Sequence, residues 1–322
     1  MSQNNSCILY VGLDVAKLSL ELNLAGKSHS LANDPQGHAQ LLKLLAPHPH
    51  AHVVCEATGG YEQSVVRVLH GSAVAVSVVE AGRIRHFARA QGRRAKTDPI
   101  DAAVLTAFAQ AVQPAPTAAP TQQQERLAQL STRRRQLIQT RIAEENRSEH
   151  YTDPLCLRQA KQCLKMLQRQ IQACDQAILK LIEADAELSH KAERLDAIPG
   201  VGTVVAATVL AEMPELGQLT HGAAAALAGL APYNRDSGEH SGARHISGGR
   251  RVVRGALYMA AMSAIKHDRI LKEFYLRLRA AGKKPMVALT ACMRKLIVLM
   301  NRLLKDKTFE LEDKNLKISL AI

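Results

Sequence analysis

The chain has no tryptophan, and only 3% of its 322 residues are aromatic. Leu, Val, Ile and Ala must therefore fill the core, within an apolar share of 47%. The six cysteines (Cys7, Cys55, Cys156, Cys163, Cys174 and Cys292) include no CxxC pair. Neither a zinc ribbon nor a disulfide framework is indicated, and they read as reduced, mostly buried thiols of a cytosolic protein. No apolar run reaches membrane-spanning length, and the polar start "MSQNNS" is no signal peptide. Acidic residues are in the minority, 29 against 42 Lys and Arg, for a formal net charge of +13. A sequence pI of about 9.6 points to a polyanionic partner, nucleic acid before membrane. A basic soluble enzyme is the simpler alternative.

The patterning divides the chain. "CILYVGL" (7–13) is a β-branched apolar run, "SLELNLAG" (19–26) alternates, and Gly26 turns into "KSHSLAN". These predict three meandering strands. Asp34-Pro35 opens a helix with Leu41, Leu42, Leu44 and Leu45 on its buried side. Strands at 51–57 and 73–79 follow, with helices at 61–70, 82–90 and 98–112. This is an α/β layout with a mixed sheet. "QPAPTAAPTQQQ" (113–124) reads as a linker. Beyond it, Leu164, Leu167, Ile171, Cys174, Ile178 and Leu181 recur at three and four, a heptad seam suited to a coiled coil and to dimerisation. A helix over 122–149 could pair with it, Arg133, Arg134, Arg135 and Arg141 making its other faces basic.

Candidate chemistry begins with carboxylates. Asp14 follows the first strand, and Glu56 ends a later one, at the rim where α/β proteins keep their sites. Asp98 and Asp101 lie three apart at a helix start and share a face. Hard carboxylate oxygens of this kind hold magnesium against a phosphodiester. Asp98 before Pro99 is also a good N-cap, and Asp101 suits the helix dipole. The order of the four acids, behind the basic lead-in Arg93, Arg94 and Lys96, fits a ribonuclease-H-like nuclease core. An actin-like ATPase also opens with a strand and an Asp, but Val-Ala-Lys-Leu follows here, without the Gly and Thr that wrap phosphates. His48, His50 and His52 with Cys55 resemble metal ligands only faintly, since a loop entering a strand explains them.

Two further motifs stand in the last third. "IPGVGTVVAATVLAEM" (198–213) is a helix-hairpin-helix pattern. Its turn at Gly200 and Gly202 and the following helix start could point amides at a phosphate, or serve only as a tight turn. "GLAPYNRDSGEHSGARHISGGRRVVRGALYMAA" (229–261) is rich in Ser, Gly and Arg. Ser237 is a candidate nucleophile, with Ser241 and Ser247 as equal candidates on residue chemistry alone. Arg235, Arg244, Arg250, Arg251 and Arg254 could stabilise a phosphoryl transition state.

Together "GLDVAK", "CEATGGYE", "RRAKTDPIDA", "IPGVGTVVAATVLAEM" and "LAPYNRDSG…GGRRVVRGALYMAA" resemble the DEDD transposases of bacterial insertion sequences. That is the IS-one-ten (IS110) family, related to the Piv DNA invertases. The resemblance implies a RuvC-like (ribonuclease-H-like) domain over 1–115, a helical coiled-coil region over 116–190, and a mainly helical transposase domain over 191–322. It implies a tetrad of Asp14, Glu56, Asp98 and Asp101 holding Mg2+, or Mn2+ in its place, and Ser237 as nucleophile. Ser241 stands where relatives usually carry a basic residue. Partners implied are double-stranded DNA at element ends and target, a structured guide RNA, and further copies of the chain as a dimer or tetramer. Membranes are not among them, and the expected location is the bacterial cytoplasm at the nucleoid. The acids and the serine fall in separate domains, so one chain or two protomers could complete the site. Two rivals remain: a RuvC-like nuclease using metal-bound water, and a non-catalytic basic binding protein.

Overall fold

A computed structural model describes residues 8–92, 98–233 and 244–311, with 98–100 as backbone only. The chain divides into two compact units, 1–120 and 121–322.

The first unit is built on a five-stranded sheet. β1 (Leu9–Val15), β2 (Ser19–Leu24) and β3 (Lys27–Ala32) form the meander. α1 (Pro35–Leu45), β4 (Ala51–Glu56), α2 (Gln63–Gly71), β5 (Ala75–Val79), α3 (Ala81–Ala90) and α4 (Asp98–Val112) follow. The sheet order is β3-β2-β1-β4-β5, and only β2 runs against the others. α1 starts where expected, because the Asp34 side chain accepts from the Gly37 amide at 2.8 Å. Leu41 and Leu45 are its fully buried leucines, with Leu42 and Leu44 half-buried.

Strand alternation sorts the two faces. Val11, Leu13 and Val15 of β1 join Leu20, Leu22, Val53 and Cys55 in a core against α1 and α2. Val54 of β4 packs instead with Val104, Leu105 and Phe108 of α4 and Ile84 of α3. α4 comes unusually close to β1. A Cβ on Gly12 would stand 2.1 Å from the Ala102 carbonyl oxygen. The Gly12 amide donates to Thr106 Oγ1 at 2.9 Å, and that hydroxyl has Asn23 Oδ1 at 3.1 Å as an acceptor.

The Pro-rich segment after α4 is fastened to the edge strand. The Ser77 hydroxyl donates to the Ala115 carbonyl at 2.7 Å, Val78 N–H donates to Thr117 Oγ1 at 3.0 Å, and the Thr117 amide reaches the Val76 carbonyl at 2.8 Å. It thereby covers an edge that would otherwise offer unpaired backbone groups. His52 belongs to this arrangement, with Nε2 2.8 Å from Ser77 Oγ, and burial pulls its pKa down. Among the described residues, no group of three His, Cys, Asp or Glu could hold a metal ion; that holds for His48, His50, His52 and Cys55, and for Asp14, Glu56 and Asp101 taken without the Asp98 side chain, which lies outside the described residues.

The second unit is helical apart from one short ribbon. α5 (Gln122–Ser148) and α6 (Pro154–Glu183) pair as an antiparallel hairpin. Leu167, Ile171, Ile178 and Leu181 of the expected seam are buried, while Leu164 and Cys174 are half-buried. The arginines of α5 are largely engaged at home: Arg134 pairs with Asp175, Arg135 with Glu212 at 2.9 Å, and Arg141 reaches Gln168 at 2.9 Å. α7 (Ala186–Asp196), α8 (Thr203–Glu212), α9 (His221–Leu227), α10 (Arg251–His267), α11 (Arg269–Ala280) and α12 (Pro285–Lys305) enclose the largest core. The middle of α12, residues 296–301, is buried on every side, while Arg294 and Lys305 on either side of it are exposed. Arg194 donates to the carbonyls of Leu303, Asp306, Lys307 and Phe309 at the end of α12, satisfying acceptors that a helix C-terminus leaves open.

The cysteines are less buried than expected. Cys55 and Cys292 are enclosed, and burial pushes both thiols up to about 12. Cys156, Cys163 and Cys174 are half-buried on α6. No helix among the described residues is long and apolar enough to cross a membrane.

Gly12 generates the first prediction. Gly12→Val should lower stability by about 3 kcal/mol or more, because backbone rather than a movable side chain occupies the space. Urea titration followed by circular dichroism reads this out; a variant as stable as wild type would mean that α4 is not locked to β1.

Candidate functional site

The sheet supplies the site from two neighbouring strands. Asp14 lies inside β1 rather than after it, directly opposite Glu21 of β2. The strand outlasts its apolar run because pairing with β2 continues through Val15. Glu56 closes β4, where it pairs with Val79 of β5. Gly12 and Val54 are partners across the β1–β4 ladder, and both face α4. Asp14 and Glu56 stand two residues further on in each strand, so they share that face. α4 begins at Asp98, and Asp101 immediately precedes the residue whose carbonyl rests on Gly12. The helix start is thus brought over the strand that carries Asp14. The close approach at Gly12 fixes this placement.

Glu21 is an acid that sequence reasoning passed over. Asn23, two residues on, faces α4 through Thr106, so Glu21 shares that face with Asp14. The Ser30 hydroxyl donates to Glu21 Oε1 at 2.6 Å. Like charges directly opposite on a sheet are unfavourable, which suits a face that attracts cations. The alternation of "SLELNL" places Glu21 on the polar side of β2, but only the β1–β2 register sets it opposite Asp14.

Glu62 was passed over as well. It is 9% exposed and accepts from Thr58 N (3.2 Å), Thr58 Oγ1 (2.8 Å) and Gly60 N (2.9 Å). Gly59 and Gly60 have φ of +79° and +125°, values that suit glycine. Glu62 therefore ties down the "ATGGY" loop that leaves Glu56, and the two Gly-Gly positions let it curl. The signal lay in the glycines followed by an acid.

In the second unit the two hairpin glycines differ. Gly200 has φ +85°, and a Cβ there would sit 2.6 Å from the Ala260 carbonyl oxygen. It is the contact point of the turn with α10. Gly202 is the N-cap of α8, with open space where a Cβ would stand. Beside it, Val204 and Thr208 of α8, Arg251 and Met259 of α10, and Arg134 and Ile138 of α5 line a groove of about 480 Å³.

The serine-rich stretch is anchored at both ends. β6 (Pro232–Tyr233) and β7 (His245–Ile246) form an antiparallel ribbon. Ser237, Ser241 and Arg235 fall between them and lie outside the described residues, as do Arg93, Arg94 and Lys96. Gly249 and Gly229 meet backbone to backbone, since a Cβ on Gly249 would be 2.1 Å from Gly229 N. Arg254 donates to the carbonyls of Gly248 (2.8 Å) and Gly229 (3.2 Å). Arg250 forms a two-bond pair with Glu215, 2.6 and 2.8 Å, and reaches the Glu212 carbonyl at 2.7 Å. These two arginines brace the ribbon; Arg244 and Arg251 are exposed.

Comparison with known proteins gives two matches to family models. Residues 11–154 match the DEDD transposase model of IS110, described as "Transposase", and residues 192–276 match "Transposase IS116/IS110/IS902 family". The "Pilin gene-inverting protein" of Moraxella bovis is 28% identical over 90% of this chain and 94% of its own length. The "Insertion element IS116 uncharacterized 44.8 kDa protein" of Streptomyces clavuligerus is 31% identical over 45% of this chain and 36% of its own. T. thermophilus RuvC in complex with a Holliday junction substrate overlaps 34% of this chain and 98% of its own, at 14% identity and a TM-score of 0.27. So weak a superposition adds nothing to the strand order above.

The Arg250 pair predicts a pH dependence. Burial alone would raise the Glu215 pKa, but the hydrogen bonds and charge of Arg250 outweigh it, and the net shift is downward. Stability from the pair is therefore full above the ordinary carboxylate value of 4.5 and lost as pH falls below it. Glu215→Gln should melt lower than wild type at neutral pH, by about 1 kcal/mol given its partial exposure. The gap should close in acid. An unchanged gap on acidification would remove Glu215 as its source.

Proposed function

The chain belongs to the IS110 family of transposases and is a DNA transposase or recombinase, and from that premise we propose that it cuts and rejoins DNA by serine attack on a phosphodiester beside a carboxylate-held metal ion. The observation that carries this reading is the shared face of Asp14 and Glu56 beneath the start of α4. Asp98 and Asp101 complete the proposed tetrad. An all-oxygen donor set suits Mg2+, with Mn2+ as its substitute. Such an ion, when bound, stabilises charge developing on the phosphoryl oxygens.

The protein's own groups do the rest. Ser237 Oγ bonds to phosphorus and gives up its proton, and a DNA hydroxyl leaves. The resulting phosphoserine link conserves the phosphodiester energy for rejoining. Exposed Arg244 and Arg251 are the candidates for contact with phosphate, by charge-assisted hydrogen bonds. Arg250 and Arg254 act indirectly, by holding the ribbon from which the serine segment springs. The amides at Gly202 offer a second, sequence-independent contact.

The sheet order, with β2 alone reversed, supports reading 1–115 as a RuvC-like, ribonuclease-H-like domain. The buried seam of α6 supports a coiled-coil region over 116–190, followed by the transposase domain over 191–322. A structured guide RNA, assembly as a dimer or tetramer, and action at the nucleoid follow from the family resemblance.

Covalent trapping on labelled donor duplex, with magnesium and co-expressed flanking RNA, tests the mechanism. Wild type should give a protein–DNA adduct on a denaturing gel, and Ser237→Ala and Asp14→Asn should give none. Cleavage without an adduct that survives Ser237→Ala would replace the serine with water as nucleophile.

A further inference from the structure

Residues 269–305 hold ten Lys and Arg against one carboxylate, Glu273, so this segment carries +9 of the chain's net +13. It forms the α11–α12 hairpin. Most of it lies past residue 276, where the second family match ends.

Its charges are gathered around one ring. Arg277 Cζ stands 5.4 Å from the centroid of Phe274, and Lys295 Nζ, from the facing helix, stands 5.7 Å from it. A ring face attracts cations, which helps to hold two like charges together. Arg294 adjoins them. Burial, with the charges of Arg294 and Arg277 behind it, draws the Lys295 ammonium below its usual value. Among the described residues, no carboxylate lies within ion-pair distance of Arg277, Lys283, Lys284, Arg294 or Lys295. That differs from Arg134, Arg135 and Arg250 of this unit, which pair with Asp175, Glu212 and Glu215.

We propose that the α11–α12 hairpin is a docking surface for the phosphodiester backbone of duplex DNA, built on Arg277, Arg294 and Lys295 and continued by Lys283 and Lys284 at the turn. This rests on the reading of the chain as a DNA recombinase and adds a contact outside the serine and the tetrad. Concentrated positive charge without internal partners is relieved by a polyanion, and a duplex presents one phosphate charge per about 1.7 Å of axis. The twelve residues of α11 extend about 18 Å, the length of about five base pairs. Phe274 is half-buried beneath its cations, so it is not a stacking platform of the kind single strands need. The contact reads backbone, not sequence.

The test titrates full-length wild type and the Arg277→Gln/Arg294→Gln/Lys295→Gln variant with a labelled duplex of arbitrary sequence, across about 50–200 mM salt. The variant should bind about tenfold or more weakly at the upper salt, and its log K against log salt slope should be shallower by about 2–3, near 0.9 per lost phosphate contact. Arg277→Lys/Arg294→Lys should restore the slope. Lys283→Gln/Lys284→Gln, exposed at the turn, should lose about 1–2 of slope and provides an independent reading if the first variant fails to fold by circular dichroism. An unchanged slope in a folded variant would overturn the proposal. So would a loss confined to a structured RNA hairpin or to anionic vesicles, with duplex binding intact. The adduct assay separates the two readings: an adduct at saturating duplex with unaltered salt slopes rejects this surface alone, and altered slopes without any adduct reject the serine mechanism alone.

Discussion

Helix α4 can lie against β1 because position 12 has no side chain. With the Ala102 carbonyl oxygen 2.1 Å from where a Cβ would stand, the helix backbone approaches the strand more closely than any side chain at position 12 would allow. The Thr106 hydroxyl then serves both elements, accepting from Gly12 N–H and facing Asn23 of β2. Three elements are locked through one oxygen. An interior this dense deforms little, so the start of α4 is held against the sheet as part of a rigid body. Carboxylates on such elements are held better than carboxylates on loops, and the proposed tetrad needs that: mutually repelling acids stay together only where the backbone gives them no alternative.

The second unit solves a different problem. It carries many arginines, and the structure divides them by partner. Arg134, Arg135, Arg194, Arg250 and Arg254 are engaged with carboxylates or with carbonyls at chain turns. Guanidinium suits this work because its donors form a fixed fork. Arg194 alone gathers four carbonyls at the end of α12. With 29 acids for 42 Lys and Arg, internal pairing cannot be general, and much of the excess collects on the α11–α12 hairpin, where Glu273 is the single acid. The same residue type thus acts as a structural tie in one place and as a source of external field in another.

Much of this was readable beforehand, for local reasons. Asp34-Pro35 specified a cap, and α4 runs over 98–112 as the pattern indicated. Misreadings came where a distant partner decides. Asp14 looked like a loop residue because the apolar run stops at Leu13, yet pairing with Glu21 keeps it in the strand. The Pro-rich segment had the composition of a linker, and its bonds to Ser77, Val78 and Val76 are invisible without the sheet. Arg250 looked like a phosphate ligand, but Glu215, 35 residues earlier, takes its guanidinium. Gly200 and Gly202 were indistinguishable by sequence, and only α10 tells the packed one from the open one.

These two kinds of electrostatics fit the demands of cutting and rejoining DNA. Metal-assisted attack tolerates little error in position, so the acids belong on a sheet and a locked helix. Backbone binding tolerates much more, because each phosphate resembles the next and the attraction acts over about a Debye length. Flexible Lys and Arg ends on an exposed hairpin are sufficient for it. The proposed serine nucleophile has a demand between these, since the chain on either side of it must be held in one place. A ribbon closed by Tyr233 and His245, set on the Gly229–Gly249 contact and braced by Arg250 and Arg254, fixes both ends of the serine segment.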